Sequence, residues 1–275
     1  MKQVVKRVLQ VCRFALAGGN PLDAWNLAVL GVARGHVFSG ADLLSRIGRH
    51  LYPHLEVRPS SLRGLVLTLN PANLSHLVVA EEVLIENVYD LTKVPFEPDV
   101  IVDCGAHIGM FTLLAASTFP AASIVCYEPD LTNLEWLRRQ VQANDLFLDI
   151  VPAAATTVAG EAPFFPSSSC GGTLVRGLVE RTSVTSVQTV RLASQIAELN
   201  PSRLLLKIDV EGEEVSLLPD IISTLPRACA LFLETHDGAE GWVNAERLLC
   251  EHGFEVTISR QRETYTDGFA VRSQE

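Results

Sequence analysis

Short apolar stretches alternate with helical stretches along the chain from residue 99 onward. The apolar ones include DVIVDC, SIVCYE, LLLKIDV and ALFLETH, and between them FTLLAAS, LEWLRRQVQAN and EEVSLLPDIISTL have apolar side chains at helical spacing. Strands separated by single helices form βαβ units, whose parallel sheet is covered by helices on both faces. The pattern therefore predicts an α/β domain. FEVTIS and GFAVRS have no helix between them, which predicts a C-terminal antiparallel hairpin.

The first hundred residues follow a different pattern. Residues 1 to about 50 have apolar side chains spaced in threes and fours, which predicts helices. LEVRPSSLRGLVLTLN predicts two short strands around a turn, and SHLVVAEEVLIENVYDL predicts a further helix. A change of composition at Pro98 divides the chain into an N-terminal region, 1–97, and a larger domain, 98–275. Residues 156–186 are rich in Ser, Gly, Thr and Pro and predict a surface loop or a lid.

Composition and charge exclude several classes of protein. The formal net charge is -10, so the surface repels phosphate backbones and a nucleic acid partner is not expected. No uncharged apolar run reaches the roughly 18 residues that a membrane span requires. Gln10 and Arg13 interrupt the apolar N-terminal stretch, which favours an amphipathic helix over an export signal and predicts a cytoplasmic protein.

The six cysteines lie far apart and include no C-x-x-C pair, so neither a zinc site nor a disulfide framework is expected. Cys104 and Cys126 fall at the ends of two predicted strands. There they are expected to be small buried hydrophobic residues in a reducing compartment.

The first predicted βα turn is VIVDCGAHIGM, residues 100–110. In an open α/β sheet this turn is a usual ligand cradle: Gly105 permits a sharp turn, and Gly109 permits the next helix to pack on the strand. The D-x-G-x-x-x-G pattern differs from the G-x-G-x-x-G of nicotinamide enzymes. Asp103 would be unfavourable beside a diphosphate but suits a cationic ligand such as S-adenosylmethionine.

The second predicted strand ends in Glu128, nineteen residues after Gly109. An acidic residue at about this separation reaches a ribose in dinucleotide-binding folds, and a carboxylate accepts hydrogen bonds from both ribose hydroxyls. Glycines and strand-end acids are each common, but together and in this order they predict a nucleoside-containing cofactor.

Four stretches in chain order, VDCGAHIGMFTL, YEPDLTNLEWLRRQVQAN, VPAAATTVAGEAPFF and LKIDVEGEE, resemble the FkbM-type family of S-adenosylmethionine-dependent methyltransferases. The resemblance covers about residues 60–260, and KIDVEG is its most specific part. It implies a Rossmann-like, seven-stranded, mostly parallel sheet with a C-terminal antiparallel hairpin, here with an N-terminal helical and β-hairpin cap. His107 stands where the family usually has Asn, Thr157 where it has an acid, and LAS (192–194) where it has LDD.

By position, the resemblance implies three groups of cofactor-binding residues. The methionine side would be lined by Asp103, Gly105, Ala106, His107, Gly109 and Met110, the ribose held by Glu128 with Pro129, and the adenine flanked by Ala153 and Ala154. Asp209 and Glu211 follow the fourth strand, where the methyl group would meet the acceptor.

A hydroxyl acceptor must lose a proton, and a positioned base assists that step. Asp209, Glu211 and His236 follow neighbouring strands and are the candidate bases; His236 is otherwise a capping or loop residue. Lys207 alternates with Asp209 along a strand, so it either pairs with that carboxylate or contacts substrate. Glu213 and Glu214 are expected to form the acidic first turn of the next helix. A divalent metal bridging Asp209, Glu234 and the acceptor is an alternative to the base.

These features predict an S-adenosylmethionine-dependent methyltransferase that methylates a hydroxyl of a small molecule such as a sugar, polyketide or peptide natural product. The N-terminal region would cover the substrate side or form a homodimer contact. A catalytically silent cofactor-binding or scaffold protein of the same fold is one alternative. A nicotinamide-dependent oxidoreductase is the other, disfavoured by the missing third glycine and by Asp103.

Overall fold

A computed structural model describes residues 55–70, 73–166, 172–175, 184–236, 238–262 and 265–272. The helices predicted for residues 1–50, including the amphipathic N-terminal one, lie outside this range. The chain divides into two compact units, one up to Asn87 together with Arg139–Leu146, the other comprising Val88–Arg138 and the residues from Phe147 onward. The division into regions 1–97 and 98–275 stays a prediction.

The first unit contains the predicted hairpin. Strands β1 (Leu55–Val57) and β2 (Leu67–Leu69) pair antiparallel, and helix α1 (Leu74–Leu84) follows. The side chain of Asn73 accepts a hydrogen bond from the Ser75 N–H in the first turn of α1. The Gln140 amide accepts from the Thr68 N–H at 2.8 Å and donates to the Thr68 carbonyl at 2.7 Å, which satisfies a buried strand edge.

The second unit contains ten strands and five helices among its described residues. The strands are β3 Val100–Cys104, β4 Ser123–Tyr127, β5 Asp149–Val151, β6 Ala154–Thr156, β7 Gly160–Phe164, β8 Thr185–Arg191, β9 Arg203–Ile208, β10 Ala228–Thr235, β11 Glu255–Gln261 and β12 Thr266–Arg272. The helices are α2 Met110–Thr118, α3 Leu131–Ala143, α4 Leu192–Leu199, α5 Glu214–Ile221 and α6 Gly238–Glu251, of which α3 extends into the first unit.

Seven strands form the central sheet in the order β11-β12-β10-β9-β3-β4-β5. The five strands from β10 to β5 run parallel, and β12 pairs antiparallel with both β10 and β11. The Rossmann-like fold and its C-terminal hairpin are thus confirmed. The chain leaves β3 toward β4 on one side and returns to β9 on the other, so the sheet changes winding direction at β3. Ligands bind beyond the carboxyl ends of the strands at such a point.

The prediction of a loop over residues 156–186 is partly wrong, because β7 and the start of β8 lie in this stretch. With β6 they form a second sheet in the order β6-β8-β7, parallel between β6 and β8 and antiparallel between β7 and β8. In β7 the side chains are mostly exposed and Pro163 interrupts the apolar alternation. Proline is tolerated there because β7 is an edge strand, and without alternation the sequence has no strand signal.

The core of the second unit lies between the central sheet and its helices. Strands β3, β9 and β10 are buried along most of their length, as expected for parallel strands covered on both faces. Cys104 and Cys126 are buried and free, which agrees with their interpretation as small hydrophobic residues. No helix in the described ranges has the length and apolar composition that crossing a bilayer requires.

Candidate functional site

A cleft lies at the carboxyl ends of β3, β4 and β9, where the fold predicts a ligand. We call it the Glu128 cleft. Its walls come from both sheets and the turns between their strands. They are formed by Gly105, His107, Tyr127, Glu128, Pro129, Asn133, Ala154, Ala155, Phe164, Gly172, Leu174, Asp209, Val210, Glu211 and Glu213.

The glycine turn is fixed by a close backbone contact. Gly105 has φ +77°, and a Cβ there would lie 1.8 Å from the Asp209 carbonyl oxygen. The N–H groups of Gly105 and Ala106 both donate to the Tyr127 carbonyl at 3.0 Å. Gly105 therefore permits the β3 turn to pack against the β9 turn. The sequence predicted a sharp turn at Gly105 but not this contact with the Asp209 backbone.

His107, the departure from the family pattern, also has a left-handed backbone, with φ +50°. Asparagine and histidine are among the few non-glycine residues that adopt this conformation readily, which accounts for both residue types at this position. The His107 N–H donates to Glu128 Oε2 at 2.7 Å. The turn thus orients the acid of the next strand.

Glu128 is a buried carboxyl group held by three donors. Its Oε1 accepts from the Asp130 N–H at 2.8 Å and from Asn133 Nδ2 at 3.4 Å, and its Oε2 accepts from His107. Burial raises the pKa of Glu128 to about 7, although the hydrogen bonds from the backbone N–H groups of Asp130 and His107 oppose the shift. The group therefore changes charge near neutral pH.

Asp103 does not line the cleft. Its side chain is fully buried, accepts a hydrogen bond from Thr112 Oγ1 at 2.6 Å, and lies 3.4 Å from Lys207 Nζ. Asp103 and Lys207 are paired residues of neighbouring strands. The expectation that Asp103 contacts the cofactor is thus not supported by its position, because its oxygens face the protein interior.

Lys207 connects Asp103 to the cleft. Its Nζ lies 3.5 Å from Asp209 Oδ2 and donates to the Gly105 carbonyl at 2.6 Å. Burial lowers the pKa of Lys207, but Asp103 and Asp209 raise it by more, so the ammonium stays charged. Of the two alternatives predicted for Lys207, the ion pair with Asp209 is the one present in the structure.

The KIDVEG turn, residues 207–212, folds around the side chain of Glu214, which follows it in the chain. Glu211 and Gly212 have φ values of +58° and +112°. Glu214 is fully buried, and its carboxylate accepts from the N–H groups of Val210 and Gly212 at 3.0 to 3.1 Å. Glu214 begins α5 and lies in its acidic first turn as predicted, and its carboxylate also closes the KIDVEG turn from inside.

His236 lies among three carboxylates. Its Nδ1 is 3.1 Å from Glu214 Oε1, and its Nε2 is 3.3 Å from both Glu211 Oε2 and Glu234 Oε1. Burial lowers the pKa of His236, but hydrogen bonds to Glu214 and Glu234 outweigh it and raise the pKa to about 12. A pKa this high keeps the imidazole protonated at neutral pH, which does not favour the predicted role of His236 as the base.

The remaining predicted residues fall into two groups. Pro129 and Ala154 line the Glu128 cleft, and Ala155 does so in place of Ala153. Ala106 and Met110 are buried outside the cleft lining, and Gly109, with φ +87°, precedes α2.

Sequence reasoning missed two residues near Asp209. Tyr89 lies edge-to-face with Phe111 and Phe232, with its ring centre 6.0 Å from Lys207 Nζ. Asp267 is buried opposite Glu234 in the β10–β12 pairing and contacts Arg260. The sequence predicts the β11–β12 hairpin but not the pairing of β12 with β10, which brings Asp267 opposite Glu234. No pattern marks Tyr89, which precedes the first strand of the sheet.

Comparison with known protein families matches residues 103–256, more than half of the chain, to the methyltransferase FkbM domain. Methyltransferase 1 of Beauveria bassiana is 26% identical over 221 residues, which span 70% of this chain and 86% of that protein. The 31-O-demethyl-FK506 methyltransferase FkbM of Streptomyces tacrolimicus is 28% identical over 232 residues, spanning 70% and 88%.

Among solved structures, the chain is similar to precorrin-6y C5,15-methyltransferase from Geobacter metallireducens, with a TM-score of 0.44 and 15% identity, covering 69% of this chain and 88% of that one. Because the matched residues begin at Asp103 and include both the glycine turn and KIDVEG, the family assignment rests on the stretches that build the site. The chain belongs to the FkbM methyltransferase family.

Proposed function

We propose that the protein is an S-adenosylmethionine-dependent methyltransferase that methylates a hydroxyl oxygen of a small molecule. One observation carries the proposal: acidic residues that follow two different strands, Glu128 after β4 and Asp209 after β9, line the Glu128 cleft together with Gly105. Such a cleft offers one acid to a ribose and a second to a cationic group or an acceptor.

The residues present fit this cofactor. Glu128 Oε1 accepts from two donors, but Oε2 accepts from the His107 N–H alone and keeps a lone pair that can accept from a ribose hydroxyl. Ala154, Ala155 and Phe164 give the cleft an apolar wall suited to an adenine ring. Asp209 lies near the Gly105 turn, where a carboxylate favours a positive charge. S-Adenosylmethionine, when bound, supplies a methyl group activated by its sulfonium.

Asp209 is the candidate base on the acceptor side. Its side chain is 25% exposed, whereas the side chains of Asp103 and Lys207 are almost fully buried, so Asp209 can reach a bound hydroxyl. Lys207 holds it in place, and a base so positioned contributes about 100- to 10,000-fold to proton transfer. Burial and the charge of Asp209 raise the pKa of Glu211 to about 7, although His236 opposes the shift. Below that pH the Glu211 carboxyl is mostly protonated and cannot accept a proton, so Glu211 is the weaker candidate base.

The acceptor is proposed from charge and from the relatives. A net charge of -10 disfavours a nucleic acid, and the name of the Streptomyces relative specifies methylation at an oxygen of FK506. A sugar, polyketide or peptide natural product fits both observations. We also propose that the protein forms a homodimer and is located in the cytoplasm.

The test replaces Asp209 by Asn. Calorimetry should show S-adenosylmethionine binding within a few fold of wild type, because ribose and adenine contacts remain, while methyl transfer falls by about 100-fold or more. Asp130→Asn is a control, because the Glu128 carboxylate is held by the Asp130 backbone and not by its side chain. If NAD binds and S-adenosylmethionine does not, the protein is an oxidoreductase of this fold and the proposal is wrong.

A further inference from the structure

The surroundings of His236 have the arrangement of a metal centre. His236 and Glu234 lie at the carboxyl end of β10, and Asp209 follows β9, the neighbouring strand. One ligand atom from each of these three residues lies within 4.8 Å of the other two. Glu211 adds a further carboxylate oxygen 3.3 Å from His236 Nε2.

The two ring nitrogens of His236 have different partners. Nδ1 faces Glu214, which is fully buried and is held in place by two backbone N–H groups. A histidine that ligates a metal usually presents one nitrogen to the ion and donates the other N–H to such a carboxylate. Glu214 therefore orients the ring so that Nε2 faces Glu211 and Glu234.

The distances around Nε2 are longer than those of most charge-assisted hydrogen bonds. Charge-assisted N–H···O bonds are about 2.7 to 2.9 Å long, but both carboxylate oxygens lie 3.3 Å from Nε2. Two ligands that each lie about 2.1 Å from a metal are about 3.0 Å apart in octahedral and about 3.4 Å apart in tetrahedral geometry. The observed separation matches that between two ligands of one ion.

The charge balance favours a cation in the same place. Six carboxylates lie in this part of the second unit: Asp103, Asp209, Glu211, Glu214, Glu234 and Asp267. The permanent cations beside them are Lys207, paired with Asp103 and Asp209, and Arg260, paired with Asp267. Glu211, Glu214 and Glu234 have His236 as their cationic partner among these contacts, and a divalent ion on Nε2 would replace its proton.

We propose that His236 Nε2, Glu234 and Asp209 bind one divalent first-row transition metal ion, with Glu211 as an additional oxygen ligand and Glu214 as the carboxylate that orients the histidine. One imidazole with several carboxylates suits Mn²⁺, and Zn²⁺ accepts the same donors. Asp209 has two oxygens, and because Oδ2 lies 3.5 Å from Lys207 Nζ, metal binding by Oδ1 is compatible with that ion pair. The site does not require the proposed cofactor or acceptor.

The experiment uses the full chain after dialysis against EDTA, titrated with Mn²⁺ alone at pH 7.5 and followed by the electron paramagnetic resonance of free Mn²⁺. We expect one ion per chain, with nitrogen hyperfine coupling in the pulsed spectrum from the imidazole. His236→Gln should abolish that coupling and the tight binding. Glu214→Gln should weaken binding roughly 10- to 100-fold, the usual effect of removing a carboxylate that orients a metal ligand.

Matched controls separate binding from folding. His252→Gln replaces an exposed histidine outside this cluster, and Glu161→Gln replaces a carboxylate that contacts Ser186 and Gln188 in the second sheet. Both controls should bind Mn²⁺ like the wild type. Circular dichroism checks that the His236 variant is folded, and Glu234→Gln provides a second variant.

The proposal is overturned if wild type binds neither Mn²⁺ nor Zn²⁺ at millimolar concentration, or if folded His236→Gln and Glu234→Gln bind as tightly as wild type. Because no cofactor or acceptor is added, this result is independent of the test of methyl transfer. Metal binding without methyltransferase activity would contradict only the proposed function, and activity without metal binding would contradict only the metal site.

Discussion

Several acidic residues near this site form hydrogen bonds or ion pairs with other residues of the protein. Asp103 was predicted from its place in the chain to contact a cofactor. Its carboxylate instead forms an ion pair with Lys207 and accepts a hydrogen bond from Thr112. The position of a residue in the sequence reveals which strand end it follows, but not which neighbour takes its oxygens. Glu128 differs because its held carboxylate still lines the cleft.

The Lys207 and Asp103 pair is expected to be costly to break. Lys207→Met leaves Asp103 fully buried without its counter-charge, which should lower the free energy of unfolding by about 3 to 5 kcal/mol. Urea unfolding measures this loss. Arg191→Met is the control, since Arg191 pairs with Asp220 at the surface and should cost about 1 kcal/mol or less. A Lys207→Met loss as small as that of the control would contradict the assignment.

Glu128 should make cofactor binding depend on pH. Since burial raises its pKa to about 7, the carboxylate that accepts from ribose hydroxyls forms as the pH rises. S-Adenosylmethionine binding should tighten by up to about 10-fold between pH 6 and pH 8, because one proton is released. Calorimetry at both pH values measures the change.

Glu128→Gln is the control for this pH effect, because its amide does not titrate and its binding should stay flat over the same range. In the unliganded protein, the contribution of Glu128 to the free energy of unfolding changes with pH in the opposite direction. The folded state retains the Glu128 proton to a higher pH than the unfolded state, so this group's contribution to stability declines from about pH 4.5 to pH 7. Tighter binding at pH 6 than at pH 8 would contradict the ribose contact.

At the scale of elements, the central sheet was predictable because buried parallel strands are continuous apolar runs. β3, β9 and β10 have this composition, and the hairpin of β11 and β12 followed from the missing helix. β7 was not predictable, since an edge strand with exposed side chains has no such run. The same limit applies to the site: strand ends were located, but the left-handed residues Glu211 and His107 were not.

The turn after β3 gives a prediction about close packing. Gly105→Ala places a Cβ 1.8 Å from the Asp209 carbonyl oxygen, in addition to the strain of φ +77°. Gly253→Ala is a matched control, because Gly253 has φ +80° but its Cβ would lie 3.7 Å from Arg272 Cδ, an ordinary contact. The control should lose about 1 to 2 kcal/mol from backbone strain alone.

Gly105→Ala should lose clearly more stability than Gly253→Ala in urea unfolding, and it should also weaken S-adenosylmethionine binding, because the β3 and β9 turns must separate. Equal losses in the two variants would show that the contact with Asp209 is easily relieved.

At the scale of the whole molecule, the proposed ligand should couple to global stability. S-Adenosylhomocysteine at about 100 times its dissociation constant should raise the free energy of unfolding by about 2.7 kcal/mol, if it binds the folded state only. The urea midpoint measures the shift. NAD at the same concentration should leave the midpoint unchanged, and an equal shift with NAD would contradict the cofactor assignment.

The buried cysteines have a consequence for experiments on this chain. Cys104, Cys126 and Cys229 lie on three strands of the central sheet, and burial raises the pKa of each thiol, so none forms a reactive thiolate while the sheet is closed. Cys250, the remaining cysteine of the described ranges, is exposed. Alkylation followed by mass spectrometry would therefore separate a fast surface label from slow labels that time the opening of the sheet.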